Sequence, residues 1–292
     1  MAILLVSISA GVHALWNLAG KRQNPSAAFF LIAALCAALI TLPFVGVYRA
    51  ALEHIPMVVW GLLLGTGICQ AGYYIGLAGA YQRGQLSVAY PLVRALPVLL
   101  IALVSLGLGK TFSLQGALGI LAVAGGCLLV PLSSFQAFNR QTYLTAGSGL
   151  ALLAALGTTG YTLIDSQALA VLRSQSGLEL GSTGITLLFL ALENLVTALL
   201  LGAYVGLVAS ERRRLVVTWR TNRWWAAGTG VLITSAYGLI LAAMAFASNV
   251  SYIAAFRQLS IPLGAFLGFV IQKEPATPPR LIGISILSFG LV

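Results

Sequence analysis

Long apolar stretches with at most one charged residue, each bounded by Lys/Arg, Pro or a polar cluster, recur along the chain at roughly 2–20, 27–48, 57–81, 86–108, 113–131, 144–167, 183–207, 224–246, 250–271 and 281–292. A helix needs about 20 mostly apolar residues to cross about 30 Å of hydrocarbon. The runs are about twice the length of a barrel strand and lack its dyad alternation. The pattern therefore predicts an all-α polytopic membrane protein, a bundle of ten transmembrane helices. The first run has no basic segment ahead of it, since Lys21 and Arg22 follow it, so it reads as a helix and not as a signal peptide. The last run supplies about 12 residues, or about 18 Å of helix, and the native chain is expected to continue beyond it.

An internal repeat organises these spans. When the sequence is slid against itself so that Gly65 meets Gly228, Gly65-Thr66-Gly67 falls on Gly228-Thr229-Gly230, Tyr74 on Tyr237, Ala80 on Ala243, Arg94 on Arg257, Leu96 on Leu259 and Lys110 on Lys273, without a gap. The division expected is 1–136 and 137–292, with five helices in each part and the last helix truncated. Five is odd, so the second copy enters the membrane from the opposite side, which makes the repeat inverted. Two similar halves in opposite orientations have two packings of similar energy around a central cavity, one open to each side. That is the basis of alternating access.

Composition narrows the class. Hydrophobic residues make up 59% of the chain and charged residues 8%, with a mean hydropathy of +0.97; a soluble domain carries roughly 25% charged residues. A water-soluble globule is excluded. The net charge of +10 comes from 16 Lys+Arg against 6 Asp+Glu, but no basic stripe interleaved with stacking aromatics appears, so nucleic acid is not an expected partner. Loops after odd-numbered spans carry Lys21, Arg22, Arg83, Arg140, Arg212, Arg213, Arg214, Arg220, Arg223, Lys273 and Arg280; loops after even-numbered spans carry Arg49, Lys110 and Arg173. The positive-inside rule then puts the odd-span loops in the cytoplasm and both termini outside. The preference for Arg over Lys is a feature of GC-rich bacterial genomes, and the expected location is a bacterial inner membrane with periplasmic termini. Cys36, Cys69 and Cys127 are far apart inside apolar runs and form neither a disulfide framework nor a metal motif.

Within the spans, small-xxx-small spacings at Gly61/Gly65, Gly72/Gly76, Gly202/Gly206 and Gly264/Gly268 allow close helix approach. Pro91 and Pro97 in span four and Pro262 in span nine remove backbone donors near Arg94 and Arg257, so these spans are expected to bend around the cavity. Ionisable side chains inside a membrane are costly unless paired or wetted, which makes each a functional candidate. They are His13, Arg94, Asp165, Glu193 and Arg257. For Arg257 the alternatives are a solute, structural pairing with Glu193 or a carbonyl, and snorkelling to the interface.

Helical spacing sorts further candidates onto faces. His13, Trp16 and Asn17 share one face of span one; Gln70, Tyr74, Leu77 and Tyr81 one of span three; Ser87, Tyr90 and Arg94 one of span four. Tyr161 and Asp165 on span six and Tyr237 with Met244 on span eight extend the set. Together these residues can line a cavity with aromatic walls and a few hydrogen-bonding tips, suited to a small amphipathic solute; the competing reading is helix packing with Tyr at the interfacial belt. Asp165 and Glu193 are candidates for a proton or an ion pair. Enzyme signatures are absent: there is no HExxH, GxSxG, P-loop or paired-aspartate motif. No catalytic residue, metal or cofactor is expected, and any driving force must be a solute or ion gradient.

The His13-Ala14-Leu15-Trp16-Asn17 segment, the two five-helix halves, Leu92-Val93-Arg94-Ala95-Leu96 echoed by Ala255-Phe256-Arg257-Gln258-Leu259, and the Gly109-Lys110 and Gln272-Lys273-Glu274 span ends together resemble the drug/metabolite transporter superfamily, EamA type. Within it the chain is most similar to YddG-type amino-acid exporters. The resemblance implies export of aromatic or other neutral amino acids into the periplasm by a functional monomer whose partners are the small-molecule substrate and the lipid bilayer. Small four-helix members of the superfamily couple to protons through a helix-one glutamate. This chain has His13 and Asn17 in that region, which favours facilitated diffusion or exchange, with His13 or Glu193 as remaining proton carriers. Two other readings stay open: a phosphorylated-metabolite or nucleotide-sugar-like antiporter, and a non-transporting membrane sensor or scaffold.

Overall fold

The computed structural model describes residues 1–20, 25–83, 86–137, 145–247, 249–271, 273 and 275–291, and of those all side chains but 16–20, 86–91, 137, 268 and 271. Among the described residues there is no strand. The helices are α1 (Ala2–Gly20), α2 (Ala27–Val47), α3 (Met57–Arg83), α4 (Leu86–Gly107), α5 (Leu114–Leu129), α6 (Ala146–Ser174), α7 (Ser182–Leu207), α8 (Ala209–Thr221), α9 (Arg223–Ala243), α10 (Val250–Phe256), α11 (Ser260–Ile271) and α12 (Pro278–Gly290). Among the described residues, six stretches are long and apolar enough to cross a membrane: Ala27–Val47, Met57–Arg83, Ala146–Ser174, Ser182–Leu207, Arg223–Phe246 and Val250–Leu267. The chain is all-helical, with the length and composition of a polytopic membrane protein. Its exterior agrees with that: Leu39, Leu103, Leu121 and Leu199 are each more than half exposed, and apolar surface on this scale is stable against lipid rather than water.

Local chemistry sets the helix ends. Ser26, Ser113 and Thr145 accept from the backbone N–H groups of Phe29, Gly116 and Ser148, starting α2, α5 and α6. Three features differ from the sequence pattern. The Arg-rich segment after α7, read as a loop, is the helix α8: Arg212 and Arg213 are exposed, while Glu211 turns inward to accept from the Ala28 N–H at 3.0 Å. The ninth span is interrupted by a single 3-10 turn at Arg257–Leu259, between α10 and α11. Pro262, which offers no N–H to the carbonyl four residues back at Gln258, accounts for the break. The last helix begins earlier than expected, with Pro278 and Pro279 in its first turn, where a missing N–H costs nothing.

The packing places α3 along α6, α5 along α12, α2 along α7, α1 along α9 and α4 along α6. Glycines mark the closest crossings, though mostly not the four spaced pairs. A Cβ at Gly157 would lie 2.6 Å from the Cys69 carbonyl oxygen, and one at Gly76 would lie 2.7 Å from the Ala154 nitrogen, so α3 and α6 touch backbone to backbone. Gly126 meets Gly283 and Gly119 meets Gly290 across the α5–α12 crossing. By contrast Gly61 and Gly206 face open space; their spacing is compositional. The α3–α6 contact positions the site, because it brings the Gln70-to-Tyr81 face of α3 against Tyr161 and Asp165 of α6.

Candidate functional site

Two adjoining lobes of a cavity, sharing part of their lining, lie among α1, α3, α4, α6, α9 and the turn at Arg257. One lobe, open at its mouth, lies between residues that include Leu77, Tyr81, Arg94, Pro97, Thr158 and Gln258. The other, also open to solvent, is bounded by Ser9, Gln70, Tyr74, Asn194, Thr234 and Tyr237. His13, Tyr73, Tyr161 and Arg257 line both lobes.

The walls are aromatic. Tyr161 meets Tyr237 edge-on with ring centroids 5.3 Å apart and Tyr73 at 5.9 Å; Tyr73 and Tyr74 are 5.1 Å apart, and Phe30 stacks on Tyr74 from outside at 5.0 Å. Such contacts fix large, rigid surfaces while leaving hydroxyl tips for hydrogen bonding. Arg257 sits on this wall: its guanidinium carbon is 5.6 Å from the centroid of the Tyr237 ring, and Nη2 donates to the Tyr161 hydroxyl at 3.3 Å. A cation over an aromatic face with a hydrogen-bonded edge is held in place yet keeps donors for an incoming acceptor. Arg94 donates from Nη2 to Ser260 Oγ at 3.3 Å, and Ser260 Oγ donates to the Arg257 carbonyl at 3.0 Å. One serine thus links the two arginines.

Behind the second lobe lies a polar layer. The Tyr237 hydroxyl donates to Asp165 Oδ2, and Gln70 Nε2 donates to Glu193 Oε1. Thr197 Oγ1 donates to Gln70 Oε1 at 3.1 Å, and Asn194 Nδ2 to Thr234 Oγ1 at 2.8 Å. Asp165 and Glu193 are fully enclosed, each 0% exposed.

Of the sequence-derived candidates, His13, Gln70, Tyr74, Tyr81, Arg94, Tyr161, Tyr237 and Arg257 converge on the cavity. Trp16 and Asn17 fall on α1 and Ser87 and Tyr90 on α4, but their side chains lie outside the described residues. Met244 is buried in the short turn after α9 and lines neither lobe. The pairing of Arg257 with Glu193 does not occur: Glu193 takes its hydrogen bond from Gln70, and Arg257 faces tyrosines. Snorkelling is likewise not what Arg257 does, since it points into the bundle. Sequence reasoning missed Tyr73, which lines both lobes, together with Ser9, Asn194, Thr234 and Gln258. Tyr73 stands three residues from Gln70 and eight from Tyr81, on the face already identified. Ser9 is one helical turn before His13, so that periodicity could have found it too.

No family model matches the chain, and no curated protein matches it. Among solved structures, a crystal structure of another protein is similar over 99% of this chain and 95% of that one, with 14% sequence identity and a TM-score of 0.68. At that identity the likeness speaks to the fold alone: a solved protein of nearly the same length adopts it.

Proposed function

We propose that this chain is a secondary transporter that exports small amphipathic metabolites, neutral or aromatic amino acids above all, by alternating access across a bacterial inner membrane. The observation that carries the reading is the cavity itself, with tyrosine walls and Arg257 at the junction of its two lobes. An amino-acid carboxylate fits the Arg257 guanidinium, whose planar donors suit a bidentate acceptor. The aromatic wall fits an apolar side chain, and the hydroxyl and amide tips of the second lobe fit an ammonium group.

Ten crossings in two inverted five-helix repeats are part of the proposal, and the packing supports them. Exchanging the halves turns the α3–α6 contact into α1–α9, turns α2–α9 into α3–α7, and maps α2–α7 and α5–α12 onto themselves; all of these contacts occur. Single residues follow the same exchange. A Cβ at Gly67 would meet Val196, while one at Gly230 would meet Ala33, and the repeat alignment sets Gly230 on Gly67 and Val196 on Ala33. Gly119–Gly290 and Gly126–Gly283 exchange as well once the alignment is shifted by one residue, which sets Gly283 on Gly119 and Gly290 on Gly126. The resemblance to EamA-type transporters, and to YddG-type exporters within them, supports the same reading, and the Lys/Arg tally supports periplasmic termini.

The test is counterflow of labelled L-phenylalanine into liposomes containing the purified monomer. Saturable exchange, competed by unlabelled neutral amino acids and lost in Arg257→Ala, is expected; flux that neither saturates nor responds to any cavity substitution overturns the reading. One observation favours a phosphorylated solute instead, namely that Arg94 and Arg257 line the same lobe. Competition by phosphate esters and not by amino acids in the same assay would select it. A sensor or scaffold predicts no exchange at all.

A further inference from the structure

We propose that Asp165 and Glu193 form a proton-binding site, holding one proton between their facing carboxyl oxygens, and that this proton is the coupling ion of the transport cycle. The second clause rests on the transport reading above; the first does not.

Hydrogen-bond accounting carries the argument. Asp165 on α6 and Glu193 on α7 face each other in a fully enclosed site. Each outer oxygen is served by a donor from a third helix, Tyr237 to Oδ2 and Gln70 to Oε1. The other oxygen of each carboxyl group, Asp165 Oδ1 and Glu193 Oε2, is buried without a hydrogen-bond partner, and we take these two to be the inner, facing pair. An ionised carboxyl group only accepts, and two adjacent like charges out of water repel strongly. A single hydrogen between Oδ1 and Oε2 completes both groups and removes one of the two charges. Thr66 adds a second indication: the residue is 0% exposed, and its hydroxyl lies beside Asp165 with no other group to bond. It is placed to donate to whichever inner oxygen keeps a lone pair.

A metal ion fits less well. Three unpartnered oxygens converge, whereas a hard cation takes about six oxygen ligands. Around the pair, the other ionisable groups are Cys69 and Tyr74 of α3, Tyr161 of α6, Tyr237 of α9 and Arg257 of the turn. Arg257 is the cation of that set, so a pair holding one proton carries one negative charge against one positive. The link to the cavity is short, because Tyr237 and Gln70 both touch the pair and line the second lobe. The proton would be taken up from one side of the membrane and released to the other as α6 and α7 change partners. The helix-one residues that argued against proton coupling are not involved.

Infrared difference spectroscopy on the purified protein tests the site without any transport assay. The wild type is expected to have a deuterium-sensitive C=O band of a buried protonated carboxyl. That band is expected to be lost in Asp165→Asn and in Glu193→Gln, because either amide supplies the missing hydrogen and leaves its neighbour ionised. A band absent from the wild type, or persisting in both variants, overturns the site. Wild-type liposomes test the coupling, independently of how the variants fold. A one-unit pH gradient is expected to drive L-phenylalanine accumulation approaching about tenfold for one proton per solute. Counterflow that is intact but indifferent to pH, or accumulation that follows sodium instead, overturns the coupling. Absence of counterflow at zero gradient would instead sink the transport reading and leave the infrared result to decide the proton site.

Discussion

Arg94 and Arg257 stand at matched positions of the two halves, and their surroundings differ. α4 remains helical through Arg94 despite Pro97, and Arg94 lines one lobe only. The matching stretch of the second half breaks into α10, a 3-10 turn and α11, and the break puts Arg257 where both lobes meet. Ser260 takes the position that Pro97 holds in the first half, and its hydroxyl turns back to the Arg257 carbonyl while accepting from Arg94. Two related segments therefore do different work. The unbroken one supplies a wall, and the broken one presents a cation on a wall of tyrosines. If the two halves alternate as proposed, they must differ in any single state, and this difference is the form such asymmetry would take.

The largest effect should separate these two arginines. A charge-assisted hydrogen bond contributes about 1.5–3 kcal/mol, so Arg257→Ala is expected to weaken L-phenylalanine binding on the order of 10- to 100-fold. Arg94→Ala, which removes a contact to Ser260 and one side of one lobe, should cost only a few-fold. Arg257→Lys should fall between, since an ammonium keeps the charge without the planar fork. Equilibrium binding by scintillation proximity in detergent measures all three. Equal losses in Arg94→Ala and Arg257→Ala would mean that the break at Arg257 has no bearing on recognition.

A second contrast concerns glycines. A Cβ at Gly230 would sit 2.2 Å from the Ala33 carbonyl oxygen, a backbone atom that cannot move without shifting α2. At the matched Gly67 it would sit 2.5 Å from Cγ1 of Val196, a side-chain atom that a rotamer change can withdraw. Overpacking costs typically about 1–3 kcal/mol. Gly230→Ala should fall in that range, and Gly67→Ala should stay under about 1 kcal/mol. Thermal unfolding in detergent checks the order, and a larger loss for Gly67→Ala would mean that the α2–α9 crossing is looser than its geometry.

These contrasts mark what the sequence makes legible. Apolar runs locate the helices because lipid imposes a length and a composition, and helical spacing gathers His13, Gln70, Tyr74 and Tyr81 because residues on one face stay together. Partners across helices are another matter. Asp165 and Glu193 belong to different helices, and nothing in their local spacing indicates that they face each other. The tight glycines were equally hidden: Gly119/Gly126 and Gly283/Gly290 recur at seven residues and not four, and Gly157 belongs to no spaced pair. The helix α8 was concealed by its charge, since an Arg-rich stretch between apolar runs reads as loop until Glu211 is seen capping α2.

The smallest contrast expected is between Tyr237 and Tyr74. Both face the second lobe, both are largely buried, and they occupy matched positions of the repeat. Tyr237 donates its hydroxyl to Asp165; Tyr74 is held through its ring, stacked on Phe30 and packed near Tyr73. Phenylalanine keeps the ring and removes the hydroxyl, so each substitution isolates the hydrogen bond. Tyr237→Phe takes a donor away from an enclosed carboxyl group and should lower stability by about 1 kcal/mol. Tyr74→Phe should be close to neutral, because ring packing supplies what holds it. Unfolding of both variants beside the wild type is sufficient to measure this. If Tyr74→Phe costs as much as Tyr237→Phe, the polar layer behind the cavity is as extensive in the first half as in the second, and the asymmetry between the halves would be confined to the two arginines.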